Sequence, residues 1–403
     1  MTLFQPLSNR FFFLLWCGQT LSRLGDSVYR VALVWWVLQK TGSAAAMAKI
    51  FIFSYAPMLL FLMVGGVVVD RFSRSKAMLV SDISRAAIVF VVSLLAYAGR
   101  LEVWHLYVAS AFFGTFNAFF QPAYLAIVPE IVPSESLPSA NSLTNLSKQV
   151  TDVTGPAIGA SIVAFAGGAT AFAVDGLSFI ISAFLLLPLL GLLASSAHVR
   201  RSQSAIKELR EGFDAVLASP FLLITIVVAA FGNATLSGAI SVGLPFLIKN
   251  ELHRDVGSLG AVYSLLAFGS VVASVWLGRL ARVHRRGPKF YSAYLVAAGM
   301  TIALGLPVRF VGVEIAVFFI GAALTSSALI WTNILQESVS RETLGRVSSI
   351  DYLGSYTLVP FGYAAAGWMA DHLGSASVFI IGGAVTSVMA ILALSSRAIR
   401  DLN

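Results

Sequence analysis

The sequence is short of charge, of cysteine and of histidine, and each shortage removes a class of function. Only 11% of its 403 residues are Asp, Glu, Lys or Arg, against roughly 25% in a soluble domain. With 58% hydrophobic residues, a single soluble core has no room for the apolar surface, whereas a bilayer accommodates it. The one cysteine, Cys17, excludes an internal disulfide and any cysteine-based metal cluster. Five histidines (His105, His198, His253, His284, His372) form no H-E-x-x-H pattern and no paired acid–His spacing. A phosphate-cradling G-x-x-x-x-G-K-[ST] loop is also missing. No metal, no cofactor and no enzymatic chemistry is therefore expected. The net charge of +8 comes without a soluble basic face, so nucleic acid is not an expected partner. The excess reads instead as loop topology, because cytoplasmic loops collect Lys and Arg.

What is present is a series of long apolar runs, among 33 glycines that suit membrane helices. A spanning helix needs about 20 apolar residues. Twelve stretches qualify when some Gly, Pro or charge is tolerated: 11–38, 46–69, 77–98, 103–127, 141–166, 170–193, 221–247, 256–279, 290–308, 312–336, 346–368 and 375–395. Phe11 to Trp16 follows Arg10 as in a signal peptide, but Arg23 and Asp26 follow where a small-residue cleavage site would stand, so a retained helix is expected. With the N-terminus inside, Lys40, Lys49, Arg100, Lys249, Arg254 and Arg309 face outward and Arg23, Arg30, Arg85 and Lys148 lie within helices. That leaves 17 of the 27 Lys and Arg on the cytoplasmic side, which places both termini there.

The expected fold is thus an all-α membrane protein of two six-helix bundles, 1–193 and 221–403, joined by a cytoplasmic linker over 194–220. In the linker Ile206, Leu209, Phe213 and Val216 share one helical face, which predicts an amphipathic surface helix tethering the halves. The halves echo each other: Arg71 and Arg74 follow the second stretch, and Arg279 and Arg282 follow the eighth at an offset of 208. Parallel six-helix repeats are one known transporter construction, with the substrate site near the midplane.

The loop after the second stretch reads Gly66-Val67-Val68-Val69-Asp70-Arg71-Phe72-Ser73-Arg74-Ser75-Lys76. It resembles the G-x-x-x-D-R-x-G-R-[RK] signature of the major facilitator superfamily, with Ser73 in place of the second Gly and Ser75 before Lys76. Gly66 permits close helix packing, and Asp70 suits a neighbouring helix N-terminus, where the dipole favours an anion. Arg74 has Glu130 as its nearest acid by topology. The resemblance implies a conformational latch built from Gly66, Asp70, Arg71, Arg74 and Glu130; ordinary cytoplasmic positive charge is the plainer reading. Gly155-Pro156-Ala157-Ile158-Gly159-Ala160 resembles the core of the family's antiporter motif, with Thr151 where an earlier Gly stands. Gly155, Pro156 and Gly159 then mark an export-type antiporter, or simply a kinked, tightly packed helix.

Leu24-Gly25-Asp26 with Trp35-Trp36, Gln121-Pro122-Ala123, and Val174-Asp175-Gly176-Leu177-Ser178-Phe179 resemble a bacterial branch of macrolide-efflux and enterobactin-exporter proteins. That implies an inner-membrane, multi-pass efflux protein, expected as a monomer with a small-molecule substrate, protons and lipid as its partners. Residues 105–127 hold no Arg, so the fourth-helix Arg of many proton-coupled relatives has no counterpart.

Charges inside the membrane cost at least about 2.5–3.5 kcal/mol at its centre and call for a function. Gln19, Arg23, Asp26 and Arg30 follow at i, i+4, i+7 and i+11, one face of a helix. Asp26, flanked by two Arg, is expected to carry or gate a coupling proton; a structural ion pair is the alternative. Asn141, Asn145, Lys148 and Asp152 form a second stripe, with Asp152 the next proton site. Asp82 and Arg85 are expected just inside the cytoplasmic interface as a structural pair, and Asp175 near the outer face as packing or outer-gate structure. As the resemblance implies, the first, fourth, seventh and tenth helices face the centre, so Gln19, Tyr29, Phe113, Asn117, Gln121, Asn233, Ser237, Trp331 and Asn333 are the expected substrate-cavity residues. Proton-coupled efflux of an amphipathic small molecule is the leading function; a uniporter or lipid flippase without proton coupling is the alternative.

Overall fold

The computed structural model describes residues 3–71, 73–190, 213–279, 284–307, 309–340 and 343–402, with backbone only over 62–71. Its principal elements are helices: α1 (Arg10–Thr41), α2 (Ala44–Arg71), α3 (Arg74–Tyr97), α4 (Val103–Ile131) and α5 (Leu137–Leu190) come first. They are followed by α6 (Pro220–Gly238), α7 (Val256–Gly278), α8 (Arg286–Leu304), α9 (Phe310–Ser338), α10 (Leu344–Tyr356), α11 (Val359–Leu373) and α12 (Ser375–Ser395). No strand occurs among the described residues. Helices dominate because the bilayer offers backbone groups no other partner.

Eight helical stretches among the described residues are long and apolar enough to cross a bilayer. Three of the twelve expected spans fall short and two others run end to end, which accounts for the difference. Stretch 11–38 lies in α1, whose length is ample but whose apolar run is broken by Arg23, Asp26 and Arg30. Stretch 290–308 begins in the 19-residue α8, which opens on Arg286 and Lys289 and ends at Leu304. Stretch 346–368 is divided between α10 and α11, each under 18 residues. Stretches 141–166 and 170–193 correspond, as far as Leu190, to two helical arms that meet end to end at a kink at Gly167 and together carry the label α5. Gly167 takes φ 82° and ψ 164°, a conformation open to glycine and strained for other residues.

The chain separates into two compact units. The first comprises the described residues of Met1–Thr41, Lys49–Arg200 and Asp255–Ser264; the second comprises those of Gly42–Ala48, Arg201–Arg254 and Leu265–Asn403. In the first unit α1 and α3 pack on α5. Small residues make such close approaches possible: a Cβ on Gly159 of α5 would stand 2.9 Å from the Val28 backbone of α1, and, between α4 and α2, one on Gly114 would overlap the Ser54 carbonyl oxygen. In the second unit α8 packs on α9 and α12, while α6 packs on α11 and α12. There Asp371 of α11 caps the start of α2, accepting hydrogen bonds from Ser43 Oγ (2.6 Å) and the backbone N–H of Ala44 (2.6 Å) and Ala45 (3.1 Å).

The internal echo recurs as geometry. Gly374, 207 positions after Gly167, has nearly the same backbone, φ 81° and ψ 162°. At the same separation Gly114 and Gly321 each press against a carbonyl oxygen of a neighbouring helix, that of Ser54 or Leu266. Gly155 and Gly362 pack on Ser27 and Ala234, two residues that are themselves 207 apart. Of the linker, 213–217 is helical, with Phe213 exposed and Val216 buried; Ile206 and Leu209 lie outside the described residues.

Candidate functional site

The first unit concentrates its ionisable side chains along α1, α3 and the two arms of α5, in two layers. The outer layer is open. Arg23 is half-buried over the Tyr124 ring, 5.8 Å from its centroid, Arg30 is exposed, and Lys148 and Asp152 are exposed on the first arm of α5. Asp152 interacts electrostatically with Lys148, Arg30 and Arg23.

The inner layer is sealed. Asp82 and Arg85 were expected near the cytoplasmic interface, but Arg85 lies 11 residues into the 24-residue α3, about 17 Å along its axis. Its Nη2 donates to Asp82 Oδ1 at 2.5 Å, and both residues are buried, at 4% and 0% exposure. Asp82 Oδ2 accepts from Ser182 Oγ at 2.7 Å, and Gln19 Nε2 donates to Ser182 Oγ at 3.3 Å. The guanidinium lies against the rings of Phe179, Phe120 and Phe113, at 4.4, 4.5 and 5.9 Å from their centroids. Each ring face adds roughly 0.5–2 kcal/mol of attraction for a desolvated cation.

Asp26 connects the layers. It is half-buried and interacts electrostatically with Arg85 on the inner side and with Arg30 and Arg23 on the outer. The α1 face expected to act as one stripe is therefore divided: Gln19 belongs to the sealed network, Asp26 to the boundary and Arg30 to the surface.

Other expected site residues separate in the same way. Tyr29 is buried within the unit, stacked on Phe113 at 5.3 Å and tilted against Phe172 at 5.4 Å, so its ring faces are filled by neighbouring aromatics. Gln121 is exposed and donates to Asn117 Oδ1 at 3.4 Å; Asn117 in turn lies 3.7 Å from the Met58 sulfur. In the second unit Asn233 Nδ2 donates to the Ser355 carbonyl at 3.0 Å, Ser237 is half-buried and Asn333 is exposed. Trp331 Nε1 donates to Asp351 Oδ2 at 3.0 Å. Asp351 escaped the sequence reading: it is the acid of α10, and its one signal is a lone carboxylate in an otherwise uncharged run, 347–368.

The structure brings Arg74 and Glu130 together as an ion pair, and Arg74 also donates to the Ala126 carbonyl at 3.1 Å. The side chains of Gly66, Asp70 and Arg71 lie outside the described residues. Gly155 and Gly159 pack on α1 at Ser27 and Val28, and the Pro156 carbonyl oxygen stands 2.8 Å from where a Cβ on Gly260 would be. No group of three or more His, Cys, Asp or Glu suited to a metal ion occurs among the described residues.

Long apolar helices with a paired charge network sealed among them define a multi-pass membrane protein. The family model described as transmembrane secretion effector (MFS_3) matches residues 1–402, and the chain belongs to that family of major facilitator transporters of the cell membrane. It is similar to macrolide efflux protein A of Streptococcus pyogenes, 24% identical over 398 residues and 97% of each chain. Enterobactin exporter EntS of Shigella boydii serotype 18 is 29% identical over 345 residues, 84% of this chain and 80% of that one. Among solved structures, a bacterial homologue of the iron transporter ferroportin has a TM-score of 0.74 at 16% identity, covering 96% of this chain and 99% of the other. A POT family transporter in complex with 5-aminolevulinic acid also has a TM-score of 0.74, at 13% identity and 96% of both chains.

Proposed function

We propose that the protein exports an amphipathic small molecule across the cytoplasmic membrane in exchange for protons, by alternating access of two six-helix halves, 1–193 and 221–403. Twelve spans with both termini inside fit the 17-to-6 charge bias. A parallel repeat of the halves is supported by the glycine pairs at a separation of 207. Export of a macrolide-like or catechol siderophore-like cargo is supported by the names of the two relatives.

The observation that carries proton coupling is Asp26, a half-buried carboxylate inside a membrane helix, within electrostatic reach of three Arg residues on two sides. In this reading Asp26 carries or gates the coupling proton, Arg23 or Arg30 replaces its partner when it is protonated, and Asp152 is the runner-up proton site. Arg74 and Glu130 with Gly66, Asp70 and Arg71 form the latch. Gly155, Pro156 and Gly159 let the fifth span approach its neighbours closely. Asn117, Gln121, Ser237 and Asn333 offer polar contacts to substrate, backed by the Tyr29–Phe113 stack and by Trp331 and Asn233.

The test is counterflow in proteoliposomes with an imposed pH gradient, against macrolides, dyes and catechol siderophores, with lumenal pH followed. Substrate-dependent proton movement that disappears in Asp26→Asn is the expected result. Substrate flux without proton movement would replace this reading with a uniporter or flippase.

A further inference from the structure

The second arm of α5 carries one more acid, and its surroundings differ from those of every other carboxylate of the first unit described above. Asp175 is 0% exposed, and among the described residues neither of its carboxylate oxygens has a hydrogen-bond partner. Ser178, one turn on, donates its hydroxyl to the Asp175 main-chain carbonyl at 2.8 Å, and that single proton is all it can offer to the carbonyl or the carboxyl beside it. Across the interface stands α1, and it comes close because residue 25 is glycine. A Cβ there would overlap Ser178 Oγ and stand 2.7 Å from Asp175 Oδ1. The carboxyl is therefore clamped between two helices and closed to solvent, with the Ser178 hydroxyl as the one side-chain donor beside it.

Charge decides what form it takes. The ionisable groups within electrostatic range of Asp175 are Asp26 and Tyr29 from α1 and Arg85 from α3, and Asp82 of α3 shares that Arg85. Arg85 is the cation, and it is already engaged by Asp82 at 2.5 Å. The three sealed side chains Asp82, Asp175 and Arg85 sum to −1 when all are charged. An ionised carboxylate with no donor in an apolar interior costs far more than a neutral acid, and such groups neutralise instead. One bound proton makes the trio neutral, and the acid without a partner is the one that holds it.

We propose that Asp175 is a buried proton-binding site, and that Arg85 is shared between two states: paired with Asp82 while Asp175 is protonated, drawn to Asp175 once that proton leaves through Asp26. This rests on the proton-coupled reading for its role in transport, but the occupancy of Asp175 by a proton does not. The site differs from the α1 stripe in being closed to solvent. It stores the proton that Asp26, on its open side, admits.

The test separates the two claims. Infrared difference spectra of the reconstituted full-length protein at neutral pH, in H2O and D2O, report protonated buried carboxyls as a C=O stretching band that shifts on deuteration. The expected result is a band present in wild type, retained in Asp26→Asn and Asp152→Asn, and lost in Asp175→Asn. It is lost also in Asp82→Asn, where Arg85 is released to ionise Asp175. A band that persists in Asp175→Asn, or no band in wild type, overturns the proposal. Proton-driven accumulation of substrate is measured on the same samples. Wild type without proton movement would sink coupled export and leave the infrared assignment to stand or fall by itself. Uphill accumulation at the wild-type level in Asp175→Asn would overturn the role of the site in coupling, whereas its fall to gradient-free equilibration, with counterflow exchange kept, supports it.

Discussion

Two buried acids around one buried arginine predict a particular failure of additivity. Arg85 is 4% exposed and touches three aromatic rings, so it cannot escape to water when a counterion is removed. Stripping a buried charge of its partner costs about 3–5 kcal/mol. Asp175→Asn replaces a neutral acid by an amide of the same shape and should cost under about 1.5 kcal/mol, as shape-conserving changes do. Asp82→Asn leaves Asp175 free to ionise and take over Arg85, so most of the penalty is avoided. Only Asp82→Asn/Asp175→Asn leaves Arg85 without either sealed carboxylate, with half-buried Asp26 the one acid still in electrostatic range, and that pair should bear most of the cost, a coupling of the size seen for neighbouring groups in one network. At about 2–4 °C per kcal/mol, the double variant should melt some 6–20 °C below wild type. The assay is detergent-solubilised thermal unfolding at one fixed scan rate, since unfolding of such proteins is read kinetically. Equal melting of the double variant and Asp82→Asn would refute the reasoning, as would strict additivity of the two single changes.

Two further predictions concern the frame that holds the site. Gly114→Ala drives a methyl into the Ser54 carbonyl oxygen and should cost at least about 1–3 kcal/mol, while Gly299→Ala in α8 meets nothing within 4 Å and should gain up to about 1 kcal/mol; the yield of monodisperse protein on size exclusion and the melting temperature check both. Asp371→Ala removes the carboxylate that caps α2 at Ser43, Ala44 and Ala45 and should cost about 0.5–2 kcal/mol, with Asp371→Asn recovering part of it, again read by thermal unfolding.

Which parts of this were legible in the sequence follows from how local each signal is. Gly155 and Gly159 announce close packing by their own lack of a side chain, and the structure places α1 against both. Gly167, in a chain of apolar runs, marks the break between the arms of α5 because few other residues tolerate its φ. Arg74 and Glu130 are adjacent because the ends of consecutive stretches fall on the same side of the bilayer, which counting alone supplies. Depth was less legible. Asp82 and Arg85 look peripheral when residues are counted from the start of α3, yet Ser182 and Phe179, which bury them, come from about 100 residues further on. Tyr29 looks like a cavity residue by its position on α1, but the ring of Phe113 occupies the space in front of it.

The same limit explains why periodicity selected Asp26 and passed over Asp175. A helical repeat reports which residues of one helix share a face; it carries no information on which face is closed by other helices. Asp26, Arg23 and Arg30 form the conspicuous pattern, and they keep access to the surface on at least one side. The inner site needs three helices at once: Gly25 of α1 to make room, Arg85 of α3 to supply charge, and Asp175 of α5 with nothing to bond. Each of the three looks unremarkable within its own helix. The cost of intramembrane charge falls most heavily where solvent and donors are both missing, so of the acids in the first unit Asp175 is the one whose retention most needs a function. For the proton-coupled export proposed above, an open acid that exchanges protons with the surface and a closed acid that holds one are complementary requirements, since the proton must be released on the opposite side. In that reading neither alone couples anything: Asp26 without Asp175 would return its proton to the side it came from, and Asp175 without Asp26 would keep its proton with no route for releasing it during the transport cycle.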